Sequence, residues 1–164
     1  MLRDPSLIPL SHQHQHGLAL TVLIDRGLKA DPTKRKALEL SRKVARMAEI
    51  ELLGHFQVEE KVLFPSIRSR LDSDQVVDDL IAQHRKLEKL VELLAVATDS
   101  NRIPLLQEFS KLLHRHIRIE ERQLFQEIQA KLDESQLEEL GKEINVNVQK
   151  VCPITSRLPW SQEE

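Results

Sequence analysis

The chain has 164 residues, 40% hydrophobic and 30% charged, with a formal net charge of −2. That size and balance suit one soluble domain with its own core, and argue against disordered or membrane classes. Interspersed charges leave no basic footprint for nucleic acid, and no apolar run approaches the roughly eighteen residues of a membrane span.

Cys152 is the single cysteine, so no intramolecular disulfide can form. The opening MLRDPSLIPL carries Asp4 and two prolines where a secretory leader would be apolar. The expected compartment is therefore the cytoplasm. Tyrosine is absent and aromatics make up 3%, which removes tyrosinate ligands and any broad stacking surface for bases.

Apolar residues recur at helical spacing along the chain, and no stretch alternates with period two. A first helix is predicted over about Ser11–Lys29, with Ser6 as an earlier start. In ADPT, Asp31 is the expected N-cap and Pro32 the first helical residue. A long helix then runs to about Arg70, which Pro65 should kink or shorten by a turn. After LDSDQ, with Ser73 as cap, a third helix covers about Asp74–Thr98. Pro104 opens a fourth helix to about Lys131. Ser135 and Glu138 form a capping box for a short fifth helix, about 136–149. Residues 150–164, with two prolines and Trp160, read as an irregular tail, packed back by Trp160 or frayed. The expected fold is all-α: an antiparallel up-down-up-down four-helix bundle over about 7–131, plus a short accessory helix, in one domain spanning 1–164.

HFQVEEKVLF (His55–Phe64) and HIRIEERQLF (His116–Phe125) align without a gap and share five of ten residues. Each holds a His four residues before a Glu: His55–Glu59 and His116–Glu120. On a helix such a pair sits on one face, one above the other. Here that face is the apolar one, with Leu52, Val62 and Leu63 in the first copy and Leu113 and Leu124 in the second. A lone pair of this kind is usually a solvated surface pair. Two copies in matching apolar frames aim two carboxylates at a core, which is costly unless a cation neutralises them.

Another histidine lies upstream of each copy. In the second half it is His84, framed by Leu80, Ile81, Leu87 and Val91. In the first half the candidates are His12, His14 and His16. Leu80 precedes His84 by four and Leu10 precedes His14 by four, so the repeat selects His14, with His12 or His16 as alternatives. His114, about 200° round the helix from His116, should face solvent.

In a helical hairpin, residues equidistant from the turn share a height. The midpoint between His55–Glu59 and His84 falls beside Arg70–Leu71, and that between His84 and His116–Glu120 near Asn101. Both lie at predicted breaks. The first midpoint, near Arg35, is about one turn past ADPT.

The candidate metal ligands are therefore His14, His55, Glu59, His84, His116 and Glu120. Six ligands overfill tetrahedral zinc and are too nitrogen-rich for calcium or magnesium. Shared between two ions, with both carboxylates bridging, they leave room for an oxo or hydroxo bridge and a small ligand. Two iron ions suit that donor set, with manganese or zinc able to substitute.

These motifs, with HFQVEEKVLFP and IAQHRKL, resemble the hemerythrin-like, or HHE cation-binding, family over about Leu10–Lys131. The resemblance implies a non-haem di-iron centre in an antiparallel four-helix bundle that reacts with O₂, nitric oxide or peroxide. The oxygen carriers of that family place two histidines one turn apart on the third helix, whereas here Glu88 stands four residues after His84. The set of four His and two Glu is closer to members linked to iron sensing or to repair of iron–sulfur centres under nitrosative stress. Glu88 reads as a surface ion-pair residue, with ligand or ligand support as the alternative. Glu60 and Glu121 lie about 100° round from the ligands, as surface or ligand-supporting groups.

The function expected is therefore sensing, stress defence or iron handling through a small oxidant. The alternatives are an oxidase or peroxidase on the same centre, and a metal-free helical interaction module. The expected partners are a diatomic ligand or peroxide and a redox or signalling protein, with no nucleic acid and no membrane. The chain itself is a monomer or homodimer. No Walker loop, dinucleotide fingerprint or nucleophile elbow occurs. Cys152 sits in the predicted tail away from any base, which makes it a poor nucleophile.

Overall fold

A computed structural model describes residues 2–152, and within them all regular structure is helical. Asp4 starts the chain's first turn: its carboxylate accepts from the Ser6 amide at 2.9 Å, capping a 3₁₀ turn at Pro5–Leu7. Helix α1 (Ile8–Ala30) follows directly.

The next helix begins two residues later than ADPT suggested. Thr33, not Asp31, is the N-cap of α2 (Lys34–Met47), its hydroxyl accepting from the Lys36 amide at 3.3 Å. Asp31 instead accepts from the Thr33 amide within the turn, which leaves Pro32 just outside the helix. The helical run then continues through a π-helical turn at Ala48–Leu52, α3 (Leu53–Val58), a second π turn at Glu59–Leu63 and α4 (Phe64–Ile67). It ends in 3₁₀ form at Arg68–Arg70.

Pro65, expected to kink this run or shorten it by a turn, sits inside continuous helical structure that ends in 3₁₀ form at Arg68–Arg70. The Phe64 amide already reaches five residues back to the Glu59 carbonyl. The proline's missing N–H thus falls where the hydrogen-bond ladder is changing step.

Helix α5 (Gln75–Ala95) starts where Ser73 accepts from the Gln75 amide at 3.2 Å, and stops three residues short of Thr98. Helix α6 (Arg102–Ile119) begins two residues before Pro104. The proline fits in that first turn because amides there have no intrahelical acceptor. A π turn at Glu120–Leu124 and α7 (Phe125–Lys131) complete the fourth helical run.

Helix α8 (Glu134–Val151) is longer than expected and is capped differently. Its capping box pairs Asp133 with Gln136, not Ser135 with Glu138. Asp133 offers a charged oxygen one turn before Gln136, so the box forms two residues earlier. The helix takes in the first residues of the predicted tail, through Val151. Trp160 lies outside the described residues.

Helix α1 packs on α2 and α6, α5 on α2 and α6, and α8 on α3, on the π turn at Glu59–Leu63 and on the Pro5–Leu7 turn. Two apolar clusters result. One joins Leu10, Leu63, Phe64, Leu80, Leu124 and Phe125 to the inner face of α8. The other joins Leu20, Phe56, Leu87, Leu113 and Ile117 to the far ends of the same helices. Each fully buried Leu, Ile or Phe stabilises the fold by roughly 1.5–3 kcal/mol. Along each of the four long runs the chain passes from one cluster to the other at its His or Glu: Leu10 to His14 to Leu20, and Leu80 to His84 to Leu87. The two clusters hold those side chains between them. No helix of the described residues is long and apolar enough to cross a membrane.

Candidate metal centre

Two groups of potential ligands form in that polar layer: His14, His55, Glu59 and Glu120, and Glu59, His84, His116 and Glu120. In each group the donor atoms lie within 4.8 Å of one another, and every residue is buried. Glu59 and Glu120 belong to both. These are the six residues selected by the repeat.

The imidazoles all turn Nε2 inward. His14 and His55 bring these atoms to 3.1 Å of each other, and His84 and His116 to 3.2 Å. Glu59 spans the two groups, with Oε1 at 3.2 Å from His55 Nε2 and Oε2 at 3.3 Å from His84 Nε2. Glu120 Oε2 lies 3.1 Å from His14 Nε2 and 3.3 Å from His116 Nε2. None of the four carboxylate oxygens makes a hydrogen bond among the described residues, although all are buried. Buried carboxylate oxygens facing inward imidazole nitrogens without hydrogen bonds are what a cation between them would satisfy.

Electrostatics separates the two carboxyls. Burial raises Glu59, but the imidazole of His55, then those of His14 and His84, bring it well below the usual carboxylate range. Burial and then the charge of Glu59 push Glu120 up. Two carboxylates this close do not both ionise easily without positive charge between them. His116 is driven well below the ordinary histidine range, first by burial and then by repulsion from His84.

Behind the imidazoles stand further acceptors. Glu121 Oε1 lies 2.7 Å from His14 Nδ1, and Glu60 Oε1 lies 2.7 Å from His84 Nδ1. Thus the residue after each shared Glu supports a histidine from the other half of the chain. Such acceptors fix the tautomer that leaves Nε2 free for a metal. Ser11 and Arg3 hold Glu121 in turn, and Arg85 holds Glu60. Burial raises Glu121, but bonds from His14 and Ser11 and the charge of Arg3 take it down to about 2. The Phe that ends each copy of the motif stacks on the opposite histidine: Phe125 on His14 at 5.4 Å and Phe64 on His84 at 5.9 Å.

The Hemerythrin HHE cation binding domain model matches residues 9–128, well over half of the chain. The chain belongs to the hemerythrin HHE cation-binding family. No curated protein and no solved structure matches it.

In this hemerythrin-family chain the other histidines are accounted for separately. His12 and His114 are exposed. His16 turns away from the cluster, with Nδ1 at 2.9 Å from Glu51 Oε2. Glu88 pairs on the surface with Arg85 one turn before it. Sequence reasoning missed Glu51, which is fully buried in the first π turn. It borders a cavity of about 10 Å³ between Gly17, Met47 and Leu113 that also touches His14, His55 and His116. That volume is about the space one water needs. It also missed Gln13, whose Oε1 lies 2.8 Å from His55 Nδ1. A buried glutamine before His14 was a signal available in QHQH, but nothing in spacing alone separated it from Gln15.

Proposed function

We propose that His14, His55, Glu59, His84, His116 and Glu120 hold two iron ions, with Glu59 and Glu120 shared between them, in an antiparallel up-down-up-down bundle of four long helices. The observation that carries this reading is the pair of buried carboxylates whose four oxygens have no hydrogen-bond partner among the described residues, each carboxylate common to both ligand groups. Four imidazole nitrogens with two carboxylates form a mixed donor set of intermediate softness, which iron accepts best and manganese or zinc can share. Iron held there supplies electron exchange with a small oxidant: O₂, nitric oxide or peroxide.

The chain's own residues do the rest. Glu121, Glu60 and Gln13 orient imidazoles, and Phe64 and Phe125 wall off water. The cavity beside His14, His55 and His116 admits a ligand no larger than a few atoms. We read the chain as one cytoplasmic domain over residues 1–164 that senses or detoxifies such an oxidant, or handles iron, with a redox or signalling protein as its output. The metal-free module is disfavoured, because its core would keep two unneutralised carboxylates.

Metal analysis of protein purified without chelator tests this, with absorption spectra recorded before and after O₂ or nitric oxide. Two iron equivalents per chain and a near-ultraviolet charge-transfer band that responds to either gas are expected. Protein that takes up no iron, even when refolded with ferrous salt under argon, would sink the reading.

A further inference from the structure

Three of the four inward-facing imidazoles are held from behind through Nδ1: His14 by Glu121, His84 by Glu60 and His55 by Gln13. The fourth is His116. Its Nδ1 is buried and has no partner among the described residues.

The two halves of the site repeat one another closely. The His14–His55 and His84–His116 ring pairs each have centroids 4.8 Å apart and planes inclined at 66°. Glu121 and Glu60 meet their histidines at the same 2.7 Å. The correspondence takes His14 to His84 and His55 to His116. It therefore takes Gln13, the residue before His14, to Gln83, the residue before His84. Gln83 Oε1 is likewise buried without a partner, and its helix α5 packs directly on α6, which carries His116. An orphaned ring nitrogen and an orphaned carbonyl thus stand at the two positions where the other half of the site makes a hydrogen bond.

We propose that Gln83 is the positioning residue for His116, its side-chain carbonyl accepting from Nδ1–H as Gln13 does for His55. An imidazole that commits Nε2 to a metal must carry its proton on Nδ1, and a buried N–H needs an acceptor. Gln83 supplies one, fixing both the tautomer and the ring plane of His116. The inference rests on the two-metal reading above and extends it to the ions' unequal dependence on their support. Gln83 serves the group His84–His116, and Gln13 serves His14–His55.

The test compares wild type with Gln83→Leu, Gln83→Glu and Gln13→Leu, titrating each full-length apo chain with zinc and then ferrous iron. Gln83→Leu should weaken one metal equivalent by roughly 10–100-fold and leave the other unchanged, with unaltered helical content. Gln83→Glu, which keeps an acceptor, should restore binding to within a few-fold. In the zinc-loaded protein the His116 Nδ1–H should give a slowly exchanging downfield proton resonance that Gln83→Leu abolishes and Gln13→Leu does not. Wild-type binding of both equivalents by Gln83→Leu, or survival of that resonance in it, would overturn the inference alone. A wild-type chain that binds no metal would overturn the site reading and this inference with it.

Discussion

Three histidines in LSHQHQHGLAL meet three different fates within two turns of α1. His12 faces water, His14 enters the cluster and His16 bonds Glu51. At about 100° per residue His12 and His16 share a face while His14 points roughly the opposite way, so one site cannot take all three. Replacing His14 by Ala should therefore lower metal uptake by at least tenfold in equilibrium dialysis, while His12→Ala leaves it unchanged. His16→Ala should leave metal stoichiometry intact but strand Glu51 as a buried carboxylate without a donor. That costs about 1–3 kcal/mol of stability in urea denaturation. If His16→Ala alone loses metal, the assignment of His14 is wrong. Sequence reasoning reached His14 by aligning Leu10 with Leu80. It had no access to Glu51, whose partner lies 35 residues away.

Elements depart from ideal α geometry beside the clustered His and Glu side chains. The π turns at Glu59–Leu63 and Glu120–Leu124 both begin on the shared carboxylates, and each widens the helix by one residue. The repeat is thus duplicated in backbone as well as in residue type. Periodicity marked these segments as helix but could not register a single i→i+5 step, because the same apolar stripe survives on either side of it.

Helix α8 is the other element whose role the sequence understated. It seals one end of the core, coming so close to the first turn that a Cβ on Gly141 would lie 2.8 Å from Ser6 Cα. Gly→Ala in a helix normally stabilises by up to about 1 kcal/mol. Here the contact is with backbone, and Gly141→Ala should instead destabilise by about 1–3 kcal/mol, read from the denaturation midpoint.

The end of α8 also places Cys152 in the core, against the Glu51 carbonyl. Burial raises its thiol to about 11. Alkylation by iodoacetamide at pH 8 should therefore be far slower than in the urea-unfolded chain. Because the unfolded thiol ionises first as pH rises, stability should fall between about pH 9 and pH 11. That fall should be missing in Cys152→Ser. Alkylation of the native protein at the unfolded rate would show α8 undocked.

For the molecule as a whole, the proposed metal site lies in a polar layer between two apolar clusters, so on that reading stability should follow metal content. Without cations the layer sets unpartnered carboxylates in a buried interior. Cations held there would tie all four long helices together. Glu120→Leu separates the two contributions. It should raise the thermal midpoint of the metal-free chain, because it relieves Glu59 of a buried carboxyl neighbour. It should also abolish most of the upward shift that ferrous iron gives wild type. A metal-free variant less stable than metal-free wild type would contradict the cost assigned to that carboxylate.

Composition and periodicity by themselves determined that this chain is helical, and the internal repeat singled out the six side chains that gather in one polar layer. Those are local properties: the turn of a helix sets which residues share a face, and two matching copies make coincidence a poor account. Cap positions shifted by about two residues, because capping is settled by which side chain reaches a free amide rather than by which residue types are present. Only the tertiary structure decided that six residues from four separate runs gather in one layer, that Glu121 and Glu60 each support a histidine across the molecule, and that α8 closes the core. Those outcomes depend on contacts between segments far apart in the chain, and no spacing within a segment encodes the distance between two helices.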